Sequence, residues 1–155
     1  MFKDKKYKYS LILIISLAFI NCGPNLTKDL LKYTEQTSEV DKIRLDIIDY
    51  QAKMKTFSNL EQTLLYSKEI SSKCDRAVLI LKRIDVKNPD LIILHDTNQK
   101  YFEAMQETFI FLISGIETND VKKIEEAGNK LSESRTYYDD YIESLAKINK
   151  KISKD

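Results

Sequence analysis

Residues that make turns are scarce in this sequence: three Gly and two Pro among 155 residues, about 3% of the chain where roughly 12% is average. That scarcity excludes a turn-rich sandwich or barrel and leaves helices as the default, in a chain whose length argues for one domain. Histidine occurs once and cysteine twice, so the chain cannot supply the closed Cys/His set of a structural zinc site. An excess of one charge sign is missing as well. With 25 Lys plus Arg against 24 Asp plus Glu, no basic footprint for nucleic acid exists. A long apolar run is also lacking, since residues 11–20, ten in all, rise about 15 Å as a helix, half of a ~30 Å hydrocarbon core.

What is present begins with the first segment. Lys3, Lys5, Lys6 and Lys8 stand against a single Asp4 before the apolar run, the order of charge and apolarity found in export signals. The run closes in Phe19-Ile20-Asn21-Cys22-Gly23-Pro24, where Gly-Pro breaks any helix that would carry it further. These residues resemble the lipobox of bacterial lipoproteins, in which the signal peptide is cut just before a Cys whose sulfur carries a diacylglyceryl thioether. The usual box has Leu, then Ala or Ser, then Gly or Ala before the Cys; Phe19, Ile20 and Asn21 depart from it at all three positions, and such relaxed boxes are similar to those of spirochaete lipoproteins.

The resemblance implies cleavage between Asn21 and Cys22, lipidation of Cys22 with palmitate-like chains, and residence at the bacterial cell membrane or outer membrane, facing the periplasm or the exterior. Membrane lipid is then the first partner. One acyl chain holds a protein to a bilayer only marginally, whereas two give stable anchoring. Other readings are an ordinary secretory signal with a coincidental Cys and an uncleaved anchor. The division expected is a signal peptide over 1–21, a lipidated Cys and short tether over 22–25, and a helical domain over 26–155. Removing 1–21 takes away four Lys and one Asp and leaves a mildly acidic domain of 21 basic and 23 acidic residues.

Between Pro24 and Pro89 there is neither Gly nor Pro. Tyr33, Val40, Ile43, Ile47, Tyr50, Met54 and Phe57 recur there in steps dominated by three and four, the apolar seam of a long amphipathic helix. Gln36 stands on that seam and Thr37-Ser38 offers a second start, so residues 26–37 read either as its first turns or as a separate short helix. A second helix has Leu60, Leu64, Ser67, Cys74, Val78 and Leu81 on one face. Ser58 followed by Glu61 fits a capping box and predicts a turn near Ser58; the alternative is one rod over about 27–84, about 87 Å long.

Asn88-Pro89-Asp90 combines a cap, a proline at the first helical position and an acid in the first turn. Helix three therefore starts at Pro89, with Leu91, His95, Asn98, Phe102, Met105, Phe109, Leu112 and Ile116 on its seam, and ends around 115–118. Thr118-Asn119-Asp120 caps a fourth helix with Ala127, Leu131, Ser134, Tyr138, Tyr141, Leu145, Ile148 and Ile152 inward. Short connections make sequential helices antiparallel neighbours, so the fold class is all-α, an up-down-up-down four-helix bundle. A long helical hairpin or a three-helix coiled coil is the alternative. Gly115-Ile116-Glu117-Thr118-Asn119-Asp120 and Ala127-Gly128-Asn129-Lys130-Leu131 are similar in composition to small helical lipoproteins of unassigned function, a likeness that implies no activity.

The chemistry available to such a bundle is limited. Di-iron and di-manganese sites need Glu-x-x-His pairs, and Ile92 stands three residues before His95; no metal or other cofactor is expected. A thiol enzyme would need Cys74 activated by His95 or a basic neighbour, and antiparallel geometry brings the two levels within about 6 Å. Cys74, however, falls on the seam, where a cysteine behaves as a small hydrophobe, and His95 reads as a hydrogen-bonded core residue. Phe109, Phe111, Tyr137, Tyr138 and Tyr141 exceed what one stripe needs and form a candidate binding patch, with the bland alternative that the rings pack in the core. The function expected is a non-catalytic, membrane-anchored interaction or structural module with an envelope or extracellular protein as partner; the alternatives are a ligand-binding or sensing lipoprotein with an apolar groove at Phe102, Phe109 and the tyrosines, and third the thiol enzyme.

Overall fold

Three of the four helices begin on a short polar side chain that accepts hydrogen bonds from otherwise open amides. The computed structural model describes residues 24–56 and 59–154 and contains α1 (Pro24–Met54), α2 (Leu60–Leu81), α3 (Pro89–Thr118) and α4 (Val121–Ile152). Asn88 Oδ1 accepts from the Asp90 amide at 3.1 Å, and Pro89 occupies the first helical position, as the sequence predicts. Asp120 Oδ1 accepts from the amides of Lys122 at 3.0 Å and Lys123 at 3.4 Å. The fold is an all-α, up-down four-helix bundle. Residues 1–21, Cys22 and the expected cleavage point lie outside the described residues.

Several local expectations are settled or corrected. Helix α1 runs unbroken from Pro24, so residues 26–37 are not a separate element and the helix starts inside the span expected for a tether. The reason lies in its threonines: Thr34 and Thr37 donate their hydroxyls back to the carbonyls of Leu30 at 2.9 Å and Thr34 at 3.4 Å, a use compatible with a helix interior. Thr37, 2% exposed, takes the inward position, and Gln36 is exposed.

The chain turns after α1, and Asn59 caps α2 by accepting from the Glu61 amide at 2.8 Å. Ser58, the expected cap, and Phe57 lie outside the described residues. Leu60 is 63% exposed; Ile70 and Ala77 supply the interior positions instead, because a first-turn side chain leans past the end of its neighbours. Helix α3 ends within the expected span of 115–118. The helix continues to Thr118 and closes on Asn119, left-handed at φ 53°, with the amides of Asn119 and Asp120 bonded to the carbonyls of Ile116 and Gly115, a Schellman closure.

Two apolar clusters fill the interior. One gathers Val40, Ile47, Ile70, Cys74, Leu81 and Phe102 with Met105 and Phe109. The other gathers Tyr33, Leu91, Leu94, Tyr141, Ile148 and Ile152, at the end where α1 starts and α4 finishes. Full burial of such a side chain contributes about 1.5–3 kcal/mol. Helix α3 contributes to both clusters; in its apolar stretch 109–113 Phe109 is buried, Phe111, Leu112 and Ile113 are half-buried and Ile110 is exposed.

Candidate functional site

The steps Thr37, Val40, Arg44 and Ile47 on α1 follow the spacing of a helix face that turns inward, and a guanidinium sits on that face. Arg44 is 1% exposed, the largest fully buried side chain among the described residues. Its Nη2 donates to Oδ1 of Asn98 on α3 at 2.5 Å, and its Nη1 donates to Oδ1 of Asp41 one turn earlier. Asn98 Nδ2 passes the chain on to the hydroxyl of Tyr33 at 3.3 Å. The guanidinium carbon lies 4.8 Å from the ring centre of Tyr141, 5.3 Å from that of Phe102 and 5.8 Å from that of Tyr101, within cation–π range of each. This group joins α1, α3 and α4 where the two apolar clusters meet.

Burial opposes the positive charge on Arg44, and the oxygens of Tyr141 and Asp41 more than offset it, so its pKa stands above the ordinary value. Burial also pushes the phenols of Tyr33, Tyr101 and Tyr141 upward; they remain neutral donors and acceptors. Arg44 Nε has no hydrogen-bond partner among the described residues. The arrangement fixes which side chains face one another across the core. Its two Nη groups already donate to protein oxygens, and its charge lies against ring faces.

The other candidate site residues read from the sequence, apart from Asn21 and Cys22, lie within the described span. Cys74 is fully buried among apolar side chains, and burial alone pushes its thiol well above the ordinary range. His95 is 9% exposed and meets Tyr33 edge to face, ring centres 5.8 Å apart. Among the described residues no hydrogen bond joins it to Cys74. The expectation of a hydrogen-bonded His95 is corrected in one respect: Nδ1 is buried without a partner. Burial lowers the imidazole pKa, partly countered by Asp96.

The aromatic residues are not gathered into one exposed surface. Phe109 and Tyr141 are buried, at 4% and 6% exposure, while Phe111, Tyr137 and Tyr138 are half-buried. Tyr138 stacks on Tyr141 at 6.4 Å and tilts onto Tyr101 at 5.4 Å; Tyr137 donates its hydroxyl to Glu133 Oε1 at 3.0 Å. In the antiparallel α3–α4 pair, Phe109 and Tyr141 lie about 16 Å apart along the axis.

Sequence reasoning missed Arg44, although Asn98 on the α3 seam is one of the polar interior positions that require a partner. A charged residue at the three-four spacing of α1, together with that Asn, was the available signal. Among the described residues no group of three or more His, Cys, Asp or Glu is placed to hold a metal ion, and no helix is long and apolar enough to cross a membrane. Scanned against family models, curated proteins and solved structures, the chain matches none of them.

Proposed function

We propose that this protein is a lipid-anchored helical module of the bacterial cell envelope that acts through contact with another protein, without catalysis. The observation that carries the contact reading is the use of the interior. Phe102, Phe109 and Tyr141, the side chains that would line an apolar groove, are consumed by packing between helices, and the one described thiol is buried with a raised pKa. Rings buried between helices and a buried thiol favour a surface that acts from outside. The anchor reading draws on Cys22 and the basic-then-apolar stretch before it.

Crosslinking on intact cells, with the native protein as bait, tests the contact reading: one specific envelope or extracellular protein is expected. Recovery of a bound apolar small molecule with the purified protein would replace it by the ligand-binding reading, and an activity lost in Cys74→Ser by the thiol-enzyme reading. For the anchor, Cys22→Ala is expected to leave the membrane fraction and to lose radioactive palmitate. Unchanged membrane retention and labelling in that variant would overturn it.

A further inference from the structure

Opposite ends of the bundle differ in charge, a property hidden by the near-neutral total. One end is built from the start of α1, the end of α2, residues 82–88, the start of α3 and the end of α4; the other from the end of α1, the start of α2, the α3–α4 turn and its flanking turns. Taking nine residues of each helix with the adjoining connections, the first end carries ten Lys or Arg against five Asp or Glu, and the second carries five against seven; residues 153–155 add one Lys and one Asp to the first. Ion pairs neutralise part of the first set, such as Lys151 with Asp90 at 2.5 Å and Lys147 with Glu143 at 2.7 Å. Lys28, Lys32, Arg83, Lys150 and Lys154 are all exposed and have no carboxylate partner among the described residues. Exposed apolar side chains occur at both ends, Ile92 and Ile93 at the first and Leu60 and Val121 at the second, so they do not distinguish the two. Charge does.

The basic end is also the end at which α1 begins, and Pro24 follows Cys22 by two positions, a span of about 7 Å at full extension. A link that short brings this end of a bundle about 45 Å long to whatever surface holds Cys22. We propose that this basic end docks on an anionic lipid surface, making an electrostatic contact that adds to the lipid anchor and stands the bundle upright with its acidic end outward. The proposal rests on the lipid-anchor reading above. Its physical basis is that Lys and Arg are attracted to anionic headgroups within a Debye length of the surface. A tethered domain with a neutral or acidic base would be held by the acyl chains alone and left to tumble.

The test uses the full chain purified from cells that process it, incorporated in vesicles of phosphatidylcholine alone or with about 30% phosphatidylglycerol. An amine-reactive probe read by mass spectrometry compares Lys28, Lys150 and Lys154 with the exposed Lys55 and Lys122 of the other end. The expected result is a roughly threefold or greater loss of labelling at the first three on the anionic vesicles only, reversed at about 0.5 M salt, with no change at Lys55 and Lys122. The combined Lys28→Glu, Arg83→Glu, Lys150→Glu and Lys154→Glu variant is expected to float with vesicles as before and to lose the protection. Equal labelling on both vesicle types by a protein that does float would overturn the proposal. Protection of the same lysines on intact cells but not on anionic vesicles would overturn it in favour of an acidic protein partner. Failure of the anchor reading is separately visible, as the absence of acyl label on Cys22 and of flotation with pure phosphatidylcholine.

Discussion

Helices α3 and α4 approach each other over small side chains, whereas α1 reaches its neighbours over long ones. Along the α3–α4 pair the buried positions include Ala104, Thr108, Gly115, Ala127 and Ser134, and two residues, Asn119 and Asp120, suffice for the turn. More of these two helices lies within 8 Å of its neighbour, Cα to Cα, than in any other helix pair. Helix α1 instead spans the interior with Tyr33 and Arg44, and its rim toward α2 is closed by ion pairs such as Lys73 with Asp46 at 2.7 Å. Close backbones bring dispersion contacts that need no particular chemistry. A long polar side chain brings its own donors into the core, so it tolerates only the arrangement that satisfies them.

The sharpest way to break this contrast is to remove the long side chain. Arg44→Ala is expected to cost about 3 kcal/mol or more in urea unfolding, from the space left behind and from the stranded Asn98 carbonyl. Arg44→Met keeps the volume without the charge and is expected to stay within about 1.5 kcal/mol of the native protein. Equal, large losses in both would mean that the charge itself holds α1.

Gly115→Ala probes the close approach from the other side. A methyl there would stand 2.7 Å from Ile124 Cγ1 and 3.1 Å from both Asp120 O and Ile124 N. The side-chain clash can relax, but the backbone atoms of α4 must shift, so a cost of about 1–3 kcal/mol is expected, recovered only in part by Ile124→Ala. Thermal unfolding of the single and double variants checks both.

Acidification probes the α1–α3 junction. His95 has a lowered pKa in the folded chain, so on acidification the unfolded chain takes up that proton first. Its contribution is therefore fully present above the ordinary imidazole value near 6.5 and is lost progressively as pH falls below it. The melting midpoint of the native protein is expected to drop faster over that interval than that of His95→Gln. Parallel profiles would remove His95 from the account.

Gly128→Ala has the smallest expected effect and the opposite sign. Nothing lies within 4 Å of a methyl built at Gly128, in the interior of α4, so the substitution is expected to stabilise the bundle by about 0.5–1 kcal/mol through helix propensity and unfolded-chain entropy. Two glycines of one hairpin would thus respond in opposite directions.

Much of the architecture was legible because local chemistry fixes helix ends. Asn88-Pro89 and Asp120 start helices wherever they occur beside an apolar seam, since open amides need an acceptor irrespective of the rest of the fold. The seam of α4 was read correctly for the same kind of reason: Ala127, Ser134, Tyr141, Ile148 and Ile152 are all buried. At the candidate site legibility was partial. Asn98 and Tyr141 were recognised as inward, but not as parts of a group around Arg44, because the step that joins them crosses three helices separated by 40 or more positions in sequence.

Helix periodicity, the caps at Asn88 and Asp120, and the order of the elements follow from interactions within a few residues along the chain, so the amino-acid order alone was enough for them. Whether Leu60 or Ile70 faces the core, whether Gly115 ends a helix or admits a neighbour, and whether Arg44 points to water or to Asn98 depend on which helix stands opposite. Only the packed bundle decides these, because burial of a side chain is a property of its surroundings and a buried guanidinium is stable only where the oxygens and rings of other helices converge on it.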